Sequence, residues 1–201
     1  GRWEPVLLKM VSRVMAAQIE CAGTRFTLSS LPMKDRIAEL EFLFPLGAIT
    51  PGGLSEALVG SGIGNEGVKA LLDEPMLEFE AHHGFLRGFI DLVFRTGGRY
   101  YLLDWKSNYL GDSPGDYARA PMEREMRRHR YDLQYMLYTV ALHRFLSRGV
   151  GGYCYEDHFG GVVYMFLRGI DENAAPGCGI YGIRPGLEAV RRFESYLCGE
   201  G

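Results

Sequence analysis

Apolar side chains recur at two periods along this chain, and the switches between them mark out its elements. Val6, Leu7, Met10, Val11, Val14 and Met15 fall at helical spacing and predict a helix over 4–20, with Pro5 tolerable near its start. The stretch RIAELEFLFPL, 36–46, alternates acidic and apolar residues and predicts a strand ending at Pro45. Residues 50–72 are glycine-rich, with short helices predicted near 54–59 and 66–72. A strand predicted over 76–82 leads into GFLRGFIDLVFRTGGRYYLLDWKSN, 84–108. There, two apolar runs flank Gly97-Gly98, a dipeptide suited to the tight primed turn of a two-residue β-hairpin. A loop over 110–121 precedes a helical pattern over 122–148 that breaks near His129. GVVYMFL, 161–167, is a continuous apolar run and predicts a buried strand. Residues 168–184 are loop-like, and 185–197 predict a closing helix with Pro185 near its start.

Strands and helices are intermixed, without internal repeat or linker. This predicts one α/β domain over 1–201, a sheet with helices packed on it. At 201 residues, 47% hydrophobic and 23% charged, the chain can build one sizeable core. The net charge of −3 gives no overall basic field, so binding to nucleic acid requires a local patch. Cys21, Cys154, Cys178 and Cys198 are scattered without a CxxC pair, which suits reduced cytoplasmic thiols better than a disulfide framework or a zinc site. There is no secretory signal and no apolar run of membrane-spanning length. The start at Gly-Arg-Trp-Glu-Pro, without an initiator Met, reads as part of a longer chain.

If Gly97 and Gly98 form the turn, Thr96 pairs with Arg99 and Asp91 comes to lie opposite Asp104. Side chains so paired are roughly 5 Å apart at Cβ, and like charges there destabilise a hairpin. Ile90, Leu92, Leu103 and Trp105 leave little water nearby, so the two carboxylates need compensation, for which a divalent cation is the simplest source. Strand period puts Lys106 on the same face as Asp104, and the Trp105 carbonyl adds a hard oxygen ligand. Two acids and a lysine at one metal-sized space suggest metal-dependent phosphodiester chemistry. On this reading Asp104→Ala abolishes cleavage and leaves the fold intact or slightly stabilised, because the like-charge pair is relieved. The bland alternative is a pair of aspartates that cap turns or bind Arg87, Arg95 or Arg99, and a one-residue slip in register would separate the two.

Other residues offer weaker signals. Glu39 and Glu41 share a strand face and either can bring a third carboxylate, or both can simply be solvated. Gln134 and Tyr138 stand i, i+4 on one helix face, candidates for substrate contact or for satisfying buried backbone. Arg124, Arg127, Arg128 and Arg130 crowd the region of His129 and form either a solvated helix face or a grip on DNA phosphates. A turn or core role suits His82 and His83 better than metal binding. Gly60, Gly62 and Gly64 do not make a dinucleotide loop, since no strand precedes them.

GFIDLVF, LLDWKSN, YDLQYMLYTVALHRFL and HFGGVVYMFLRG, in that order, resemble the RecB-type nuclease domains of the PD-(D/E)XK superfamily, and the resemblance covers most of the chain from Trp3 onward. It implies a restriction-endonuclease-like core with a central mixed sheet flanked by helices, and a Mg²⁺-dependent DNA nuclease attached to a helicase, in the setting of double-strand break repair. Asp91 and Asp104 would be the metal carboxylates, the Trp105 carbonyl a further ligand, Lys106 the catalytic lysine and Glu39 the upstream acid. Gln134 and Tyr138 match the family's QxxxY motif. The partners implied are single-stranded or unwound DNA, RecC- and RecD-like subunits, and RecA. The chain departs from the family in having Trp105 where tyrosine is usual, and it starts downstream of the helix that supplies a histidine ligand.

Overall fold

The computed structural model describes residues 3–45, 47, 53, 56–58, 61, 80–82 and 85–199. Helix α1 (Glu4–Ala16) is followed by β1 (Ile19–Cys21) and β2 (Thr24–Phe26), then by strands β3 (Arg36–Pro45), β4 (Glu80–His82), β5 (Phe85–Thr96) and β6 (Arg99–Lys106). Helices α2 (Arg119–Arg128), α3 (Tyr131–Gly149) and α4 (Tyr155–His158) precede β7 (Phe159–Phe166), β8 (Ile180–Ile183) and α5 (Leu187–Cys198).

β3, β5, β6, β7 and β8 are hydrogen-bonded in that order, with β4 pairing β5 off this path. The pairs β4–β5, β5–β6 and β7–β8 are antiparallel. β6 and β7 are neighbours joined through three helices, the kind of crossover parallel strands require. The result is the mixed sheet flanked by helices that the sequence predicts, with a restriction-endonuclease-like core.

The hairpin follows from its turn. Gly97 and Gly98 have φ of 55° and 79°, values that only glycine adopts without strain and that match the twist of the flanking strands. Register then runs from Thr96↔Arg99 to Leu92↔Leu103, as the turn dictates. The helical pattern over 122–148 breaks where predicted, at Arg130, whose φ of 56° separates α2 from α3.

Three elements differ from expectation. α1 ends at Ala16 rather than 20, because Ala22 and Gly23, with φ of 48° and 78°, turn the chain into a short hairpin that buries Ile19 and Cys21. The stretch 168–184 contains β8, a four-residue strand paired to β7. The loop before α2 is shorter, since α2 begins at Arg119 and accepts Pro121 in its first turn. Of the predicted strand over 76–82, residues 80–82 form β4, and 76–79 lie outside the described residues, as does the predicted helix over 66–72. Residues 56 and 57, in the other predicted short helix, are helical.

The chain divides into two compact units. One comprises 1–38, 91–125 and 160–184. Its core joins Phe26, Phe94, Tyr101, Leu103, Val163 and Met165 with Ile19, Cys21 and Val14, and Leu92 and Trp105 pack against it. Burial pushes the Cys21 thiol up to about 11. Cys21 is therefore expected to stay unmodified by a maleimide at neutral pH while the exposed Cys154 reacts, as peptide mapping of the labelled native protein would read out. The other unit comprises 39–90, 126–159 and 185–201. Its α3 is buried almost all round from Asp132 to Leu142. Arg144 on α3 donates to Glu194 of α5 at 2.9 Å and to the Cys198 sulfur at 3.0 Å.

Candidate active site

Alternation along β6 sorts its side chains. Tyr101, Leu103 and Trp105 point to the core cluster of their unit, so Leu102, Asp104 and Lys106 point to the opposite face. That face is buried too: Asp104 is 3% exposed and Lys106 8%. The Lys106 ammonium stands 2.6 Å from Asp104 Oδ2. On β7, Tyr164 is fully buried and presents its ring 5.2 Å from the same ammonium. The lysine is thus held between a carboxylate and an aromatic face, which offsets the cost of taking its charge out of water.

Asp91 is next in line after the last ladder pair, Leu92↔Leu103, and its Oδ2 accepts the Trp105 amide hydrogen at 2.9 Å. A carboxylate here takes the backbone donor at the point where the hairpin register ends. The bond places Asp91 beside the Asp104–Trp105 peptide. The compensation the sequence assigned to a cation is therefore shared: Lys106 balances Asp104, and a backbone N–H stabilises Asp91.

The donor chemistry fits a hard divalent cation. Asp91, Asp104 and the Trp105 carbonyl are all oxygen donors, and they lie on adjacent positions of one hairpin. Among the described residues, no three His, Cys, Asp or Glu side chains cluster as a metal site.

Glu39 has φ of 52°, a left-handed conformation inside β3 that a non-glycine residue adopts only at a cost. Glu39 and Glu41 are both exposed, and Glu41 is ion-paired with Arg87 at 2.7 Å. Of the two acids, Glu41 is thereby committed to a strand neighbour, and Glu39 carries the strained backbone.

Gln134 and Tyr138 are each 3% exposed, and Gln134 Nε2 donates to the Tyr138 hydroxyl at 3.1 Å. The i, i+4 spacing produces a bond within α3, and Phe42 packs edge-on against Tyr138 at 5.9 Å. Arg127 and Arg128 are exposed at the last turn of α2. Arg130 differs: its side chain is largely buried and lies 3.9 Å from Asp132, whose carboxyl burial holds above the usual range. His82 sits in β4 opposite Phe85, and His83 lies outside the described residues. Sequence reasoning missed Tyr164. Its signal was its place in GVVYMFL, where a tyrosine in an otherwise apolar buried strand has a polar or cationic partner to find.

The chain is similar to known proteins. A profile of the PD-(D/E)XK nuclease superfamily matches residues 55–185. The chain is 42% identical over 204 residues to the RecBCD enzyme subunit RecB of Escherichia coli (strain K12), covering 99% of this chain and 16% of that protein. It is 46% identical over 123 residues to the Haemophilus influenzae RecBCD enzyme subunit RecB, covering 61% of this chain and 10% of the relative. Against the Mycolicibacterium smegmatis RecBCD enzyme subunit RecB it is 32% identical over 198 residues, with 87% and 18% covered. The chain spans less than a fifth of the length of each of these relatives.

Proposed function

Because the chain belongs to the PD-(D/E)XK nuclease superfamily, we propose that it hydrolyses DNA phosphodiester bonds at a centre formed by Asp91, Asp104 and Lys106, with Mg²⁺ as cofactor. The observation that carries this reading is the buried Asp104–Lys106 pair at the end of a hairpin where Asp91 caps the intervening amide. Asp91, Asp104 and the Trp105 carbonyl would hold the cation, and Glu39 is the upstream acid that the family resemblance implies. When bound, the cation supplies charge neutralisation at the phosphate. Lys106 donates from its ammonium to a non-bridging oxygen of the scissile phosphate, where charge grows in the transition state. Asp91, by accepting the Trp105 N–H, fixes the Asp104–Trp105 peptide, one residue before Lys106. Gln134 and Tyr138 brace α3 from within, and Arg127 and Arg128 attract the DNA backbone, with Arg130 directed inward instead.

The setting is a helicase–nuclease of the RecB kind, with RecC- and RecD-like subunits and RecA as partners and single-stranded or unwound DNA as substrate. Among the described residues no helix is long and apolar enough to cross a membrane, and the four cysteines, none disulfide-bonded, suit a reducing cytoplasm. A second reading, a DNA-binding module without turnover, is favoured by the lack of a three-ligand cluster among the described residues. Digestion of end-labelled single-stranded DNA with and without Mg²⁺, beside a calorimetric Mn²⁺ titration, separates them. Mg²⁺-dependent cleavage supports the nuclease, and DNA binding with neither cleavage nor metal uptake supports the module.

A further inference from the structure

Ser107, Asn108 and Tyr109 follow Lys106 directly, and two of the three meet Arg168. Arg168 stands in a short turn, Leu167–Gly169, immediately after β7. Its Nε donates to the Ser107 carbonyl at 2.9 Å, and its guanidinium carbon lies 6.0 Å from the centre of the Tyr109 ring. Both side chains face solvent, with Tyr109 60% exposed. An aromatic ring so exposed beside an arginine, directly beyond a buried lysine pair, does not serve the core.

The details suit a single nucleic-acid strand. An arginine anchored through Nε keeps its terminal nitrogens in a fixed fork, the geometry that grips a phosphate. The Tyr109 hydroxyl bonds Asp112, which raises its pKa. Asp112 and Asp116 are the nearby acids; Asp116 is bound to the Ser113 amide and hydroxyl at 2.9 Å and 2.8 Å. Asp112 sits at the phenol edge, so the face of the ring is the part offered to a ligand. Every base has a flat π-face that can stack there. Three extended residues span at most about 11 Å, so Tyr109 lies within one or two nucleotides of Lys106.

We propose that Arg168 and Tyr109 form a subsite for single-stranded DNA, with Arg168 on a backbone phosphate and the Tyr109 ring under an unpaired base. The position of the scissile phosphate rests on the nuclease reading, whereas the subsite itself is a binding claim. It is tested by fluorescence anisotropy with labelled oligo-dT in EDTA, where no cleavage intervenes. Arg168→Gln is expected to weaken binding and to lower the slope of log affinity against log salt by about 0.7, one phosphate's share. Tyr109→Ala is expected to weaken binding roughly 5- to 100-fold at every salt concentration, and Tyr109→Phe to retain it. A merely structural Arg168 would alter the melting temperature and leave the salt slope unchanged. Parental affinity and slope in both Arg168→Gln and Tyr109→Ala overturn the subsite, as does a parent protein that does not bind oligo-dT. Binding that depends on both residues in a protein that never cleaves leaves the subsite standing and removes the nuclease reading alone.

Discussion

Asp104→Asn is expected to slow Mg²⁺-dependent cleavage of single-stranded DNA by roughly 10²–10⁴, the scale on which positioned acid–base and electrostatic groups act. It is also expected to destabilise the fold, opposite to the outcome read from the sequence. That reading counted two aspartates whose repulsion a substitution would relieve. In the structure Asp104 is ion-paired with the Lys106 ammonium at 2.6 Å, with both side chains buried. Neutralising Asp104 takes this counter-charge away from an ammonium that also lies against the Tyr164 ring. Breaking one side of a buried pair costs about 3–5 kcal/mol, because the surviving charge is left poorly solvated. Removing both charges tests this. Asp104→Asn combined with Lys106→Met is expected to recover most of the lost stability in urea unfolding and none of the cleavage. Wild-type turnover by the single Asn variant would remove Asp104 from the site. A single variant as stable as the parent would mean that the ion pair does not matter to folding.

What the sequence made legible is what local rules decide. The hairpin register followed from Gly97-Gly98, since a two-residue turn leaves one pairing, and strand period then put Lys106 on the face of Asp104. The break at His129 was legible as a loss of helical period, realised through the left-handed Arg130. Other features depend on packing between distant segments. β1 hides in the tail of a helical pattern, because Ile19 and Cys21 continue the apolar spacing of α1 until Ala22-Gly23 turn the chain. β8 is four residues long, two of them buried, and only its pairing with β7 makes it a strand. At the site, the two acids were visible, but their separate partners were not. The Trp105 amide reaches Asp91 because the hairpin ladder ends one pair earlier, which no periodicity records. Gln134 and Tyr138 stand one turn apart on α3, and what the spacing alone did not show is the bond between them.

The packing behind the site can be tested at Gly160, the second residue of β7. A Cβ added there would run into the ring of Tyr101 on β6. That ring cannot step aside: it is fully buried, stacked on Phe94 at 5.4 Å and tilted against Phe26 at 5.1 Å. Gly160 has no positive φ, so alanine would suit its backbone and the penalty is steric. Gly160→Ala is therefore expected to cost about 1–3 kcal/mol, the range for overpacking a filled core, and to lower the melting temperature by roughly 2–4 °C per kcal/mol for a chain of this size. Tyr101→Leu costs stability on its own through the cavity it opens, but that cavity accepts the new methyl group. The double variant should then be more stable than the sum of the single effects by about 0.5–3 kcal/mol, the coupling expected of residues in direct contact. Strict additivity would show that the ring does not lie over Gly160. The same contact bears on function, because Tyr101 and Asp104 are three residues apart on β6, and a ring pushed off Gly160 shifts the strand that carries Asp104 and Lys106. Gly160→Ala is accordingly expected to reduce cleavage at temperatures well below its melting midpoint, whereas a stability defect confined to the far side of the core would reduce it only as the protein unfolds.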